Sequence, residues 1–347
     1  MYHRFFGLSK DPFGMTPDPA FLFLTLPNRE AVASLTYSIL SRKGVILLTG
    51  DAGTGKTTLL RCVFQSIPWT RVRFSAVFNP TLTPAEFLEL TLLDFGITDI
   101  PASKAQRLIL LQQFLIQECE AGRVVVLLVD EAHKLPLVVL EEIRLLSNLE
   151  LAAAKQLQIV LAGETELSNL LKCQDLRQLK QRVAVRLVLQ RLSPTDIGQY
   201  IQHRWQTAGA NRPHPFQLDA VARIAQYSQG IPRLVNALCD NALMLMYAQG
   251  QSAIGAAQIE EVARDLDLLE APAPSALAMP KPPPNVEREG NIAKVNGHLH
   301  GIANRPDLSP LRFRLSKDVR PRRPALSCAY DKNTSSNWAF PNVEIRR

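Results

Sequence analysis

One stretch decides the fold of this chain: Val45-Ile46-Leu47-Leu48-Thr49-Gly50-Asp51-Ala52-Gly53-Thr54-Gly55-Lys56-Thr57. Residues 45–49 form a short apolar run, which predicts a buried strand. Residues 50–57 match the pattern G-x-x-x-x-G-K-[ST], and a helical pattern follows from Lys56 to about Ser66. A strand, a glycine-rich loop and a helix in this order predict a phosphate-binding loop (P-loop).

The chemistry of this loop follows from its residue types. Glycines let backbone N–H groups curl around phosphates, Lys56 neutralises the charge of the β- and γ-phosphates, and the Thr57 hydroxyl ligates Mg²⁺. The helix that opens at Lys56 adds the positive end of its dipole. The sequence therefore predicts a site for ATP and Mg²⁺. The predicted nucleotide-binding residues of the loop are Gly50, Asp51, Ala52, Gly53, Thr54, Gly55, Lys56, Thr57 and Thr58.

Two acidic residues, Asp130 and Glu131, follow directly on the apolar run Val124–Val129, about 75 residues past the P-loop. A continuous β-branched run is typical of a strand buried on both faces of a parallel sheet. Phosphoryl transfer needs a carboxylate near Mg²⁺ and a group that orients the attacking water. We therefore expect Asp130 to serve the metal with Thr57, and Glu131 to polarise the water.

The rest of the pattern alternates strands with helices as far as Leu192, which predicts an α/β fold with a parallel sheet. Further strands are predicted at 71–78, 157–161 and 183–189. Helices are predicted from Pro84, at 103–121, and after the run Val124–Val129 through about Asn148. Beyond Leu192 no strand is predicted. Ser193 is a good N-cap for the first of four helices, at 193–208, 215–229, 231–249 and 256–268. The predicted domains are therefore an α/β core over 1–192 and a helical domain over 193–270.

Residues 271–347 are predicted to be a proline-rich, basic, disordered tail. They contain 11 prolines, 13 basic and 6 acidic residues, whereas residues 1–270 carry 26 of each charge. The net charge of +7 and the sequence pI of about 9.3 thus come from the tail. Its arginines and lysine between 312 and 323 can contact nucleic acid or acidic lipid electrostatically. The alternative is a solvated tail without a partner.

Composition also bears on the compartment. The five cysteines are far apart and include no C-x-x-C pair, so zinc and redox motifs are not expected and a reducing compartment is favoured. Lys10-Asp11-Pro12 interrupts any signal-peptide core, and no apolar run approaches the roughly 18 residues of a membrane span. We expect a cytoplasmic protein with no transmembrane segment.

Arginines are candidates for stabilising charge on a transferred phosphoryl group. Arg177, Arg182 and Arg186 surround the start of the last predicted strand, where one of them can reach a nucleotide bound by a neighbouring copy. For each, the alternative is a solvated basic helix end. Arg233 begins a helix in the helical domain and can reach back to the phosphates; its alternative is an ordinary surface arginine.

These residues together resemble the AAA+ ATPases of the ExeA/general secretion pathway A-protein type, which are related to MshM and to the TniB/TnsC-like transposition ATPases. The resemblance runs from Tyr2 to about Asp267, and its N-terminal block is more specific to the family than the P-loop. The matching segments are 5–8, 11–13, 16–19, 50–57, 129–132, 145–150, 176–186 and 230–236.

The resemblance implies an α/β P-loop NTPase (AAA+) parallel sheet, followed by a small C-terminal all-helical lid domain and a disordered tail. It implies a nucleotide site between two protomers of a homo-oligomer. Lys56 and Thr57 match the Walker A residues, and Asp130 and Glu131 match Walker B, with Glu131 the catalytic base. Arg233 matches the sensor-2 arginine and is a further predicted nucleotide-binding residue.

The resemblance also implies an arginine finger, a segment near the adenine and a sensor-1 residue. Arg182 is the first choice for the arginine finger and Arg186 the second. The segment before the P-loop, including Pro12 and Phe13, is expected near the adenine, although Phe13 equally fits a core aromatic. A neutral polar sensor-1 group is expected after the fourth strand, but Glu164 stands there, so the role is open between Glu164 and Thr165.

Two other departures bear on function. The glutamine that usually follows Asp-Glu-Ala in the family is His133 here. The transmembrane helix and periplasmic peptidoglycan-binding domain of many members are not recognised in this sequence, which weakens the secretion interpretation.

The favoured function is an ATP-hydrolysing AAA+ ATPase that powers or switches assembly of a secretion- or pilus-type complex with an unidentified protein partner. One alternative is a DNA-linked ATPase of the transposition type. The other is an ATP-gated adaptor with incidental hydrolysis, motivated by Glu164. The physiological partner, DNA binding and the ring size stay open.

Overall fold

The protein is described by a computed structural model that covers residues 2–68, 70–78, 81–151 and 154–269. Its strands are β1 (Val45–Gly50), β2 (Val72–Val77), β3 (Val124–Val129), β4 (Glu150–Leu151), β5 (Ala154–Lys155), β6 (Leu157–Gly163) and β7 (Val183–Leu189). Its helices are α1 (Tyr2–Phe6), α2 (Leu26–Leu40), α3 (Lys56–Ser66), α4 (Pro84–Asp94), α5 (Lys104–Glu120), α6 (Leu137–Leu146), α7 (Thr165–Leu170), α8 (Arg177–Arg182), α9 (Pro194–Thr207), α10 (Leu218–Ser228), α11 (Pro232–Gln249) and α12 (Ala256–Asp265). Short 3₁₀ turns lie at Pro19–Phe21, Ala132–Lys134 and Gln174–Leu176.

The central sheet has five parallel strands in the order β2-β3-β6-β1-β7. β6 lies between β1 and β3, so that Thr49 pairs with Gly163 and Val129 pairs with Leu161. The carboxyl ends of these three strands therefore meet at one edge of the sheet. In open α/β sheets this edge is where ligands bind.

Both faces of the sheet are covered, which explains why its central strands are apolar without alternation. In β3, Val125, Leu127 and Val129 pack into a core with α4, α5 and α6. The intervening residues of the same strand pack into a second core with α2 and α3. The sheet is thus held between two helical layers, which fix the positions of the loops at its edge.

A third core lies in the helical part, α9 to α12. α9 begins with a capping box: the Asp196 N–H donates to the Ser193 hydroxyl oxygen, and the Ser193 N–H donates to Asp196 Oδ2. The N-terminal segment contributes Tyr2, Leu8 and Phe21 to this core, although the sequence places it with the sheet domain. The helical part and the N-terminal segment therefore share one set of buried side chains.

The predicted α/β fold, its five main strands and the helices after Ser193 are confirmed. The helix predicted between Val129 and about Asn148 is α6, which begins at Leu137, after the 3₁₀ turn Ala132–Lys134. Glu131 has a left-handed backbone (φ 52°), which is incompatible with a right-handed helix at this residue. α6 therefore begins further along the chain, with Pro136 as its N-cap. The β4–β5 hairpin, α1 and α2 were not predicted.

The domain limits stay predictions. The expected boundary at 192/193 falls in the turn between β7 and α9, and all described residues belong to one compact unit. The predicted tail, 271–347, lies outside the described residues. Among the helices of the described ranges, none is long and apolar enough to cross a membrane.

Candidate functional site

The loop between β1 and α3 is shaped to hold an anion. Gly53 (φ 77°) and Gly55 (φ 95°) have left-handed backbones, which glycine adopts without steric cost. Gly55 is the N-cap of α3 and gives it no side-chain cap. The N–H groups of the first helical turn, at Lys56, Thr57 and Thr58, therefore have no intrahelical acceptor and present the positive end of the helix.

Lys56 is held inside this loop. Its side chain is buried (6% exposed), and Nζ donates to the carbonyl oxygens of Gly50 at 2.9 Å and Asp51 at 3.0 Å. Both acceptors are neutral carbonyl oxygens, so these hydrogen bonds do not neutralise the ammonium. Its positive charge can therefore pair with an anion that enters the loop. A buried cation beside free N–H groups fits a phosphate chain.

Thr57 and Asp130 meet across the end of the sheet. The Thr57 hydroxyl donates to Asp130 Oδ2 at 2.8 Å, and the other carboxylate oxygen accepts from the Glu131 N–H at 2.9 Å. Neighbouring oxygens around an octahedral Mg²⁺ are about 2.9 Å apart, given Mg–O distances near 2.05 Å. The donor chemistry and spacing of this pair therefore fit Mg²⁺.

Glu131 lines the cleft beside the loop and carries an ion pair. Lys134 Nζ donates to Glu131 Oε2 at 2.6 Å, and Lys134 itself is 54% exposed. Burial raises the pKa of Glu131, but the Lys134 hydrogen bond and the nearby charges outweigh it, so the net pKa lies below the usual value. Glu131 is therefore an ionised acceptor at neutral pH.

The two sensor-1 candidates point to different places. Glu164 lines the cleft, and its backbone N–H donates to His133 Nδ1 at 3.2 Å. Thr165 donates its hydroxyl to Asp51 Oδ1 at 3.2 Å instead. Of the two, only Glu164 is among the residues that line the cleft.

Asp51 links the P-loop to its surroundings rather than lining the cleft. Besides Thr165, Arg191 Nε donates to its Oδ2 at 2.5 Å, and Arg191 in turn donates to Gln229 Oε1 at 3.4 Å. The hydrogen bond from Arg191 lowers the pKa of Asp51 below its usual value. This chain of contacts connects the loop to the end of β7 and to the lid.

A cleft of about 430 Å³ extends from the P-loop towards the lid and the N-terminal segment. This volume lies in the range of small-molecule sites. Its walls are formed by Gly14, Met15, Thr16, Pro17, Asp18, Phe21, Leu22, Phe23, Ala52, Gly53, Thr54, Gly55, Lys56, Thr57, Thr58, Glu131, Lys134, Glu164, Tyr200, Arg204, Pro232, Arg233 and Asn236. The cleft thus carries three cationic side chains near its phosphate-binding end, at Lys56, Lys134 and Arg233.

The N-terminal segment reaches the cleft through residues 14–18 and 21–23, while Pro12 and Phe13 do not line it. Phe13 is fully buried and packs edge-to-face on Phe216, so it is a core aromatic. Arg204 pins the segment: its buried guanidinium donates to the carbonyl oxygen of Pro12 at 2.5 Å and lies 4.8 Å from the Phe21 ring centre.

The predicted arginines fall into two groups. Arg233 lines the cleft, and its backbone N–H donates to the Gly53 carbonyl oxygen at 3.2 Å. Arg182 ends α8, and Arg186 lies exposed on the edge strand β7; neither is among the residues that line the cleft. Of the predicted arginines, therefore, only Arg233 lines the cleft of its own protomer.

Sequence reasoning missed several lining residues: Lys134, Tyr200, Arg204 and Asn236. A basic residue in the turn after Asp130-Glu131 was a signal for Lys134. Tyr200 and Arg204 are four residues apart on one helix, and Asn236 lies three residues after Arg233. The sequence does not indicate that these helix faces contact the N-terminal segment.

Comparisons with known proteins agree with this geometry. The sequence profile of the family AAA_22, described as AAA domain, matches residues 39–171. Residues 39–171 are an AAA domain. This AAA domain contains the P-loop, Asp130, Glu131 and Glu164, so the site residues on the sheet edge all lie within it.

A longer similarity extends beyond the AAA domain. The chain is 40% identical over 255 residues to "General secretion pathway protein A" of Aeromonas hydrophila, a match that covers 73% of this chain and 46% of that protein. The chain therefore spans about half the length of this relative. The expected resemblance to the general secretion pathway A-protein type is confirmed at this level.

Solved structures share the fold of the AAA domain with its helical lid. Cdc6p from Pyrobaculum aerophilum superposes with a TM-score of 0.58 at 16% identity, covering 74% of this chain and 71% of that one. Drosophila ORC bound to DNA gives a TM-score of 0.54 at 19% identity, covering 75% and 67%. At such identities the likeness concerns the fold alone, which is that of AAA+ P-loop NTPases.

Proposed function

We propose that the AAA domain binds ATP with Mg²⁺ and hydrolyses it to ADP and phosphate. The observation that carries this proposal is that Lys56, Thr57 and Glu131 line one cleft at the edge of the sheet, where Thr57 is hydrogen-bonded to Asp130. Each group has the chemistry that phosphoryl transfer needs, because that reaction depends on positioning and charge stabilisation more than on covalent chemistry.

Each residue has a distinct task. The N–H groups of the loop and the Lys56 ammonium hold the phosphates, and Thr57 and Asp130 hold Mg²⁺, which supplies further charge neutralisation when bound. Glu131, ionised at neutral pH, accepts a hydrogen bond from the attacking water and orients it. Lys134 donates to Glu131 Oε2 at 2.6 Å, so we infer that this bond breaks if the water is oriented by that oxygen.

We further propose that the active form is a homo-oligomer. Arg233 of the lid is the sensor-2 residue within the protomer, since it lines the cleft beside Gly53. Arg182, with Arg186 as second choice, is proposed to reach the nucleotide of a neighbouring copy, because stabilisation by an arginine supplied in trans is a recurrent device of such ATPases.

The cellular role is proposed from similarity. The name of the 40% identical relative supports a switch or motor that assembles a secretion- or pilus-type complex with an unidentified protein partner. A cytoplasmic location fits such an ATP-dependent role. The DNA-linked and adaptor alternatives are distinguished by experiment.

The first test is ATP turnover and ATP binding by the wild type, Lys56→Ala and Glu131→Gln. Lys56→Ala should lose both, because the buried ammonium holds the phosphates. Glu131→Gln should keep binding while turnover falls about 100-fold or more, as for loss of a general base. The exposed Lys172→Ala and Glu166→Gln are matched controls. Wild-type turnover by Lys56→Ala would contradict the proposal.

The second test separates the roles. Turnover of the wild type is measured with and without double-stranded DNA at two salt concentrations. Stimulation that weakens with salt would favour the DNA-linked ATPase, since phosphate contacts release counterions. Turnover that does not change with DNA would favour the secretion- or pilus-type role over the DNA-linked role. If Glu131→Gln with ATP supports partner binding and full activity, the adaptor alternative replaces the motor.

A further inference from the structure

His133 lies between two carboxylates at the edge of the cleft. Nε2 is 3.8 Å from Glu131 Oε2 and 3.9 Å from Glu164 Oε1. The His133 side chain is only 10% exposed, whereas those of Glu131 and Glu164 are 34% and 29% exposed. The Nε2 end of a largely enclosed ring therefore faces the carboxylates of Glu131 and Glu164.

The position of this ring is fixed by the neighbouring strand. A Cβ added to Gly163, at the end of β6, would lie 3.1 Å from His133 Nδ1 and 3.0 Å from a Leu167 methyl group. The end of the strand thus packs closely against the ring at Nδ1. His133 has little room to turn away from the two carboxylates.

The other ring nitrogen determines what Nε2 does. The Glu164 backbone N–H donates to His133 Nδ1 at 3.2 Å. Because an N–H group only donates, Nδ1 presents its lone pair, and in the neutral ring the proton is on Nε2. Nε2–H is therefore a donor aimed between the carboxylates.

The same tautomer argues against a metal ion here. The ligand atoms of Glu131, His133 and Glu164 lie within 4.8 Å of one another, which is close enough to suggest a cation site. A metal at Nε2 needs the lone pair of that nitrogen, but the hydrogen bond at Nδ1 places the proton there. The cluster is better suited to hydrogen bonding than to metal binding.

We propose that His133 is a positioning residue for hydrolysis: its Nε2–H holds the Glu131 and Glu164 carboxylates in place and offsets their mutual repulsion. The inference rests on the proposed function, in which Glu131 orients the attacking water. Two carboxylates beside a phosphate chain repel each other and also repel the phosphates. A fixed hydrogen-bond donor between the carboxylates reduces this electrostatic repulsion. At 3.8–3.9 Å, a small shift brings Nε2–H into hydrogen-bond range of either group.

The test compares His133→Leu with His133→Gln. Leucine fills the space without polar groups, whereas glutamine keeps one acceptor and one donor. His133→Leu should lower kcat about 10-fold or more while the Kd for ATP changes less than about 3-fold, since positioning acts on the chemical step. His133→Gln should recover most of the lost kcat. His214→Leu, in the helical part, is the matched control and should leave kcat unchanged.

A double variant tests the charge argument. If His133 offsets the charge of Glu164, the kcat loss caused by His133→Leu should be smaller in a Glu164→Gln background, so the two effects are not additive. Equal losses of kcat for the leucine and glutamine variants, or a Kd that rises as much as kcat falls, would overturn the proposal.

A readout without turnover is the ring ¹⁵N spectrum of the nucleotide-free protein, with the His133 signals assigned by their loss in His133→Gln. The proposal expects an unprotonated Nδ1 and a protonated Nε2. The opposite tautomer, or displacement of these signals by equimolar Zn²⁺, would overturn it in favour of a metal site. If Glu131→Gln keeps full turnover, the proposed function fails instead, whatever this spectrum shows.

Discussion

Gly53 shows at the scale of one residue how closely the lid approaches the phosphate-binding loop. Its backbone is left-handed (φ 77°), and its carbonyl oxygen accepts from the Arg233 N–H at 3.2 Å. A Cβ at this position would lie 2.8 Å from the Arg233 Cβ and 3.1 Å from an Ile231 methyl group. The start of α11 is therefore in contact with the loop that we expect to hold the phosphates.

We predict that Gly53→Ala weakens both ATP binding and folding more than a matched glycine change. Gly122→Ala is the control, because Gly122 has nearly the same φ (74°) and no atom within 4 Å of an added Cβ. Gly122→Ala should cost about 1–2 kcal/mol, the backbone penalty alone. Gly53→Ala should cost more and weaken binding of a fluorescent ATP analogue about 10-fold. Urea unfolding measures the free energy of unfolding, and titration measures the affinity for the analogue. If the two variants lose equal stability and affinity, the predicted clash with Arg233 is wrong.

Single residues differ in how far the sequence predicts them. Lys56, Thr57 and Asp130 follow from motif spacing and strand ends, and the structure brings them together at one edge. The bond from Arg191 to Asp51 joins residues 140 positions apart, and no local pattern indicates it. Glu164 was identified by position, but its neighbour Thr165 turns towards Asp51, which only the packing decides.

At the scale of elements, the N-terminal segment depends on one buried arginine of α9. Arg204 is 8% exposed, bonds to the carbonyl oxygen of Pro12, and donates to the Tyr200 hydroxyl at 3.2 Å. This contact holds residues 14–18 and 21–23 as a wall of the cleft. It joins residues 192 positions apart, so no local sequence pattern indicates which residues of the N-terminal segment line the cleft.

We predict that Arg204→Met destabilises the protein by about 2–4 kcal/mol, because it leaves buried carbonyl and hydroxyl groups without their charged donor. It should also weaken ATP binding, since the cleft loses a fixed wall. Arg223→Met, which removes an exposed arginine paired with Glu260 at 3.0 Å, is the control and should cost less than about 1 kcal/mol. Urea unfolding with and without ATP distinguishes the two; a small cost for Arg204→Met would contradict this account.

A carboxylate at the end of α5 makes packing of this element dependent on pH. Glu118 has a side chain only 9% exposed, and Arg123 donates to it through two nitrogens. The hydrogen bond from Arg123 lowers its pKa in the folded state. Such a group contributes stability that is complete above the unfolded pKa of about 4.3 and is lost as pH falls through the folded pKa.

We therefore predict that Glu118→Gln lowers the melting temperature at pH 7 and reduces its decline between pH 5 and pH 3. The amide keeps the shape but carries no charge, so the proton-linked part of the stability disappears. Glu141→Gln is the comparison, because Glu141 pairs with Arg144 in a more exposed ion pair. Thermal unfolding at several pH values measures the difference. Parallel pH profiles for the wild type and Glu118→Gln would exclude this role.

At the scale of the whole molecule, one protomer supplies most of the proposed site. Loop residues 52–58, Glu131, the N-terminal segment and Arg233 of the lid line one cleft, and Asp130 is hydrogen-bonded to Thr57 of that loop. Arg182 and Arg186 do not line this cleft in their own chain. If one of them is the arginine finger, as proposed, it comes from a second copy, and we expect activity to depend on how protomers are combined.

This dependence gives the last prediction, which uses two inactive variants. Lys56→Ala has no working nucleotide loop but an intact Arg182, whereas Arg182→Ala has an intact loop and cannot donate its arginine. Each alone should be inactive, and their mixture should recover part of the turnover, since mixed contacts pair an intact loop with an intact arginine. Mixing Lys56→Ala with Arg186→Ala tests the second choice. If neither mixture regains activity although the proteins associate, as judged by light scattering, both arginines are excluded as the finger. Concentration-independent wild-type turnover from a monomer would exclude a shared site altogether.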